Sequence, residues 1–136
     1  MLALVLALGL LGFYPLLGQG ASDAELAALR ERATAFWQAR TAGDTITQYQ
    51  FETLSIDNEV SLQTYVQSRG ALIYHSAEVV EVTIGEDGVG EVTVAMKIMV
   101  PAVHRRPMDH RATDVWVKVN GKWYHTTRKR LDAGNP

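Results

Sequence analysis

The chain has no cysteine. That absence removes disulfides, thiolate metal sites, thiol nucleophiles and a lipid-modified cysteine behind a leader. It leaves the compartment open, because exported proteins also do without cysteine. Internal repeats and low-complexity tracts are missing too, which excludes stacked-repeat architectures. No histidine stands at a metal-ligand spacing from a carboxylate: His104 and His110 fall in an expected loop, and Asp109 beside His110 is isolated. No metal and no cofactor is expected. What is present fits one domain, since 136 residues suffice for one core and not for two ordinary ones. The net charge of −2 hides an asymmetry: residues 1–68 hold three Arg/Lys against seven Asp/Glu, and residues 100–136 hold eight against three.

The opening MLALVLALGLLGFYPLLGQG is apolar over residues 2–17 and uncharged. Its length lies between a signal-peptide core and a full membrane span of roughly 20 residues. Small residues at Gly18 and Gly20 suit cleavage before Ala21, although the usual basic start is missing. As an anchor the stretch is short, contains Pro15 and offers Tyr14 to the interface. Either way the rest is expected outside the cytoplasm: as a periplasmic domain behind a transmembrane helix, or as a secreted protein if the leader is cut. Residues 1–20 are thus read as signal peptide or anchor helix, 22–131 as the domain and 132–136 as a tail.

Ser22-Asp-Ala-Glu25 is a capping box opening a first helix. Leu26, Leu29, Ala33, Phe36 and Trp37 make its apolar stripe, with Glu31, Arg32 and Arg40 on a charged face. Gly43 ends it, and Asp44 caps a second helix over 45–54 with Ile46, Tyr49 and Phe51 inward. A short third helix over 61–68 stops at Gly70. Strands follow. Residues 71–84 put Val80, Val82 and Ile84 on one face; Glu86-Asp87-Gly88 turns the chain; residues 91–100 alternate Val92, Val94, Met96, Ile98 and Val100 against polar neighbours. A basic loop over 102–110 leads into the hairpin RATDVWVKVNGKWYHTTRK, which turns at Asn120-Gly121, a pair suited to type I′ geometry. The expected class is α+β: an N-terminal apolar helix, then a curved antiparallel sheet cradling the long helix that follows.

The succession FWQARTAGDTITQYQ, a short helix ending in SRG, and long strands closing in DVWVKVNGKWYH resembles the NTF2-like superfamily, the cystatin-like cone shared with SnoaL and ketosteroid-isomerase-like proteins. Its members show an aromatic residue on helix one, a Gly-Asp before helix two and a final hairpin like Asn120-Gly121-Lys122-Trp123. The likeness spans about residues 22–130 and implies a cone fold. It implies no activity, because the superfamily holds isomerases, dehydratases, cyclases, transport factors and secretion subunits. Its enzymes place a carboxylate or a His–Asp pair inside the cone, beside a tyrosine or similar donor. The matching candidates are Asp114, His75 and His125, each histidine following a tyrosine on an expected strand. Trp37, Tyr49, Tyr65 and Trp116, with Phe51 and Trp123, either line a hydrophobic pocket or fill the core. Asp44 reads as a helix cap.

The basic end, with Arg105, Arg106 and Arg111 from the loop and Arg128, Lys129 and Arg130 from the last strand, suits an anionic membrane surface or an acidic protein partner, or is a solvated face. Export and the lack of interleaved aromatics argue against nucleic acid. Two functions follow as expectations. The first is a non-catalytic, membrane-associated interaction module: an accessory or assembly subunit of a larger membrane complex, or a homodimer through the sheet face. The second is an exported binder of a small hydrophobic ligand with isomerase- or dehydratase-like acid–base chemistry. An ionisable group buried in the cavity with a shifted pKa separates the second from the first.

Overall fold

The computed structural model describes residues 20–103 and 105–126. The expected leader, the tail, His104, Arg128, Lys129 and Arg130 lie outside the described residues. Among the described residues no helix is long and apolar enough to cross a membrane.

Helix α1, Asp23–Thr41, begins where Ser22 Oγ accepts a hydrogen bond from the Glu25 amide at 3.2 Å. The Glu25 carboxylate reaches back to the Ser22 backbone amide to complete the expected capping box, and it also accepts from Lys118 Nζ at 3.0 Å, tying the helix start to the last hairpin. Gly43, at φ 71°, reverses the chain, and Asp44 Oδ1 accepts from the Thr47 amide at 3.0 Å to start α2, Thr45–Gln50. The expected long second helix breaks at Phe51 and Glu52, and a separate α3 covers Thr53–Asp57. The break lets the Phe51 carbonyl accept from the His125 amide at 2.8 Å, and Glu52 bridges the backbone of His125. Ile46, expected inward, is 57% exposed. A short α4, Leu62–Gln67, is capped by Ser61.

The sheet is an antiparallel meander in the order β1-β2-β3-β4, with β1 Ile73–Ile84, β2 Gly90–Met99, β3 Met108–Val119 and β4 Lys122–Thr126. His110 and Arg111, expected in the basic loop or at its end, are strand residues of β3. Two register shifts interrupt β1, between Tyr74 and Ser76 and between Val79 and Glu81. An extra residue in one strand bends it and flips the alternation. That corrects one member of the expected face: Val82 and Ile84 share the core side as expected, Val79 joins them, and Val80 is turned out. The hairpin closes as expected, with Asn120 at φ 49° and Gly121 at φ 80°.

The concave face of the sheet wraps α1. Leu29, Ala33, Phe36 and Trp37 from the helix meet Val92, Val94, Met96, Trp116 and Trp123 from the strands, all buried. Phe36 is the hub, with edge-on contacts to Trp37, Phe51 and Trp116 at 5.7, 6.4 and 5.6 Å between ring centroids. Gly90 permits the close approach of α1, because a Cβ there would sit 2.5 Å from Leu29 Cδ2 and 3.2 Å from Trp123 Cζ3. The apolar row of β2 therefore faces the helix. On the other side, Lys97 and Asp109 form an exposed ion pair at 3.0 Å.

Candidate functional site

Four elements converge at the wide end of the cone. The break between α2 and α3 supplies Glu52, β4 supplies His125, β3 supplies Asp114 and α4 supplies Tyr65. Register explains the pairing of the first three. Trp116 is opposite His125, so both turn to the concave face, and Asp114, two residues before Trp116, turns the same way.

His125 Nδ1 lies 2.8 Å from Glu52 Oε2, and Nε2 lies 3.6 Å from Asp114 Oδ1. The imidazole stacks on Phe36 at 4.6 Å and meets the edge of Trp116. Its side chain is 14% exposed, against 9% for Glu52 and 12% for Asp114. Burial alone pushes this imidazole toward neutrality, but the Asp114 and Glu52 carboxylates outweigh it and raise His125 to about 9. It is an imidazolium at neutral pH, held between two carboxylates.

Each carboxylate has a further donor. Trp37 Nε1 donates to Asp114 Oδ2 at 2.6 Å, and the Tyr65 hydroxyl donates to Glu52 Oε1 at 2.9 Å. Gln48 Nε2 donates in turn to the Tyr65 oxygen at 2.6 Å. Burial first, and then the Glu52 charge, push the Tyr65 phenol up, so it remains a neutral donor. The result is one continuous chain: Gln48, Tyr65, Glu52, His125, Asp114, Trp37.

This chain forms part of the wall of a cavity of about 420 Å³. Glu52, Tyr65, His125 and Gln48 face it from one side, and Arg40, Tyr74 and Leu72 also line it. Arg40 is not on a charged outer face as expected. Its guanidinium carbon is 4.9 Å from the Trp37 ring centroid and 4.5 Å from that of Tyr74. Arg32 is drawn in likewise, lying 4.2 Å over Phe51 with Nε donating to the Trp123 carbonyl.

Of the residues singled out from sequence, Tyr65 and His125 line the cavity, while Asp114 and Trp37 stand behind His125 and complete its charge network. Tyr49 packs behind Tyr65 at 5.2 Å and spends its hydroxyl on the Val60 carbonyl. Trp116 is fully buried in the core and lines no cavity wall here. His75 falls in the first register shift of β1 and is exposed, away from the network. Glu52 was not among the sequence candidates, because nothing local marks it: its role depends on His125, 73 residues later. Arg105 and Arg106 are exposed in the loop, and exposed Arg111 borders a separate depression on β1 to β3 with Lys97 and Asp109. Among the described residues no group of three or more His, Asp or Glu side chains is arranged to hold a metal ion.

No protein-family model matches the chain, and no curated protein does. Solved structures do. A Streptomyces avermitilis protein, provisionally assigned as a dehydratase of the NTF2-like family, is similar over 76% of this chain and 93% of its own, at 17% identity and a TM-score of 0.54. A SEC-C motif-containing protein from Rhodopseudomonas palustris is similar over 74% of this chain and 73% of its own, at 13% identity and a TM-score of 0.50. Identities this low speak to architecture alone. With a bent four-stranded meander wrapped round one long helix and short helices closing the wide end, this chain has an NTF2-like fold.

Proposed function

We propose that this chain binds a small organic molecule in the mouth of its cone, with Glu52 and His125 as the groups that exchange hydrogen bonds and protons with it. One observation carries the reading: buried His125 stands between the buried carboxyl groups of Glu52 and Asp114, and Glu52 and His125 line a cavity of about 420 Å³. Burying an ion pair is expensive, and well-packed apolar residues in its place often give equal or better stability. A purely structural core gains little from such a triad. A cavity gains fixed donors and acceptors at one wall, and its volume falls in the range of ordinary ligand sites. Perturbed ionisable groups beside a cavity are the physical signature of binding and acid–base work.

In this reading Glu52 is the acceptor facing the ligand, and Tyr65 and Gln48 orient it. Asp114 and Trp37 hold His125 charged from behind. Export belongs to the same proposal and is supported by the apolar stretch over residues 2–17. The accessory-subunit role is compatible with it, since the leader and the cavity are different parts of the chain; the exposed Arg105, Arg106 and Arg111 support an acidic or anionic partner. A fragment screen by side-chain NMR tests the binding role. Hits should shift His125, Tyr65 and Gln48 together and lose affinity in Glu52→Gln. Hits that shift only residues outside the cone, or a library with no hits, would overturn it.

A further inference from the structure

The cavity also carries charge that its own walls leave uncommitted. Glu52 lines it but is engaged by His125 and Tyr65. Arg40 and Arg69 line it as well. Among the described residues no carboxylate lies within 4.0 Å of either guanidinium; Arg69 makes one long contact, Nη1 to the Gly43 carbonyl at 3.4 Å, and Arg40 packs against the rings of Phe36, Trp37 and Tyr74.

Arg40 lies in the last turn of α1, where a cation complements the helix dipole. An exposed lysine would serve that purpose. The dipole does not account for a half-buried guanidinium packed against the edge-to-face pair of Trp37 and Tyr74 inside a cavity. Aromatic rings hold a guanidinium in place without taking up its N–H donors, so the fork stays free to grip a carboxylate with two parallel hydrogen bonds. Leu54, Leu72 and Tyr74 supply apolar wall beside it.

Building on the binding role proposed above, we infer that the ligand is a small organic carboxylate: its anionic end on Arg40 and Arg69, its apolar body against Leu54, Leu72 and Tyr74, and its polar middle at Glu52 and Tyr65.

The test uses the full-length chain in phosphatidylcholine nanodiscs and a matched pair of probes, 3-phenylpropionate and its neutral amide, titrated by calorimetry. The carboxylate should bind at least about tenfold more tightly, as a charge-assisted bidentate contact requires. Arg40→Gln should bring it down to the affinity of the amide and leave the amide unchanged. Arg69→Gln, at an exposed position, should weaken the carboxylate severalfold without disturbing the fold, and stands in if Arg40→Gln unfolds. Equal binding of the two probes, or a carboxylate indifferent to both substitutions, overturns the anion preference while leaving the binding role intact. Binding of neither probe at millimolar concentration also overturns it, and the fragment screen then judges the binding role separately.

Discussion

Replacing His125 with Asn tests the charge network most completely, because it removes the one cation between Glu52 and Asp114. Two effects follow. Breaking a buried ion pair from one side leaves uncompensated charge, at a cost of about 3–5 kcal/mol. The second effect is in the pH dependence. His125 is raised from 6.5 to about 9 in the folded chain, so the folded state holds this proton more tightly than the unfolded state does. The resulting stabilisation is fully present below pH 6.5 and is lost as pH rises through 9. Its size is roughly 3 kcal/mol at about 1.4 kcal/mol per pH unit. Urea unfolding followed by tryptophan fluorescence, run from pH 6 to 9.5 on both proteins, separates the effects. The native chain should lose stability over that window, and His125→Asn should start lower and stay nearly level. Parallel curves, or a native chain whose stability is flat across the window, would refute the charged-triad reasoning.

Three further substitutions probe the core and the helix starts. Trp37→Phe keeps the ring in the core and removes the 2.6 Å donor to Asp114; a cost of about 1.5–3 kcal/mol is expected for a hydrogen bond to a charged group, and no loss in urea unfolding would show that water replaces it. Gly90→Ala forces a methyl group against buried Leu29 and Trp123, so a loss of about 1–3 kcal/mol from overpacking is predicted; an unchanged melting temperature would mean that α1 shifts freely. Asp44→Ala removes the N-cap of α2 and should lower the melting temperature. Circular dichroism melting checks this, with no change counting against the cap.

Much of the frame was legible because its signals are local. Asn120-Gly121 carries its turn in its backbone preferences, Ser22, Asp44 and Ser61 each mark a helix start, and the alternation of Val92, Val94 and Met96 names the buried face of β2. The misreadings fall where one residue changes the phase. Val80 looks inward in an unbroken alternation, and the register shift between Val79 and Glu81 sends it out. The site was half legible. His75 and His125 each follow a tyrosine on a strand, and no local feature separates them; pairing does, by setting His125 opposite Trp116 and leaving His75 in an irregularity. Glu52 reads as one more polar residue of a helix until the chain breaks there and meets β4. Arg40 looked solvated because helical spacing cannot show that Tyr74, from a distant strand, covers it.

The proposed site requires a charged imidazole between two buried carboxylates, and an NMR titration of the His125 Cε1–H resonance measures that charge directly. The expected midpoint is near 9, falling in Glu52→Gln as one of the two carboxylate partners is lost. A midpoint at or below the ordinary histidine value of about 6.5 would contradict it and remove the basis for an acid–base site in this cone.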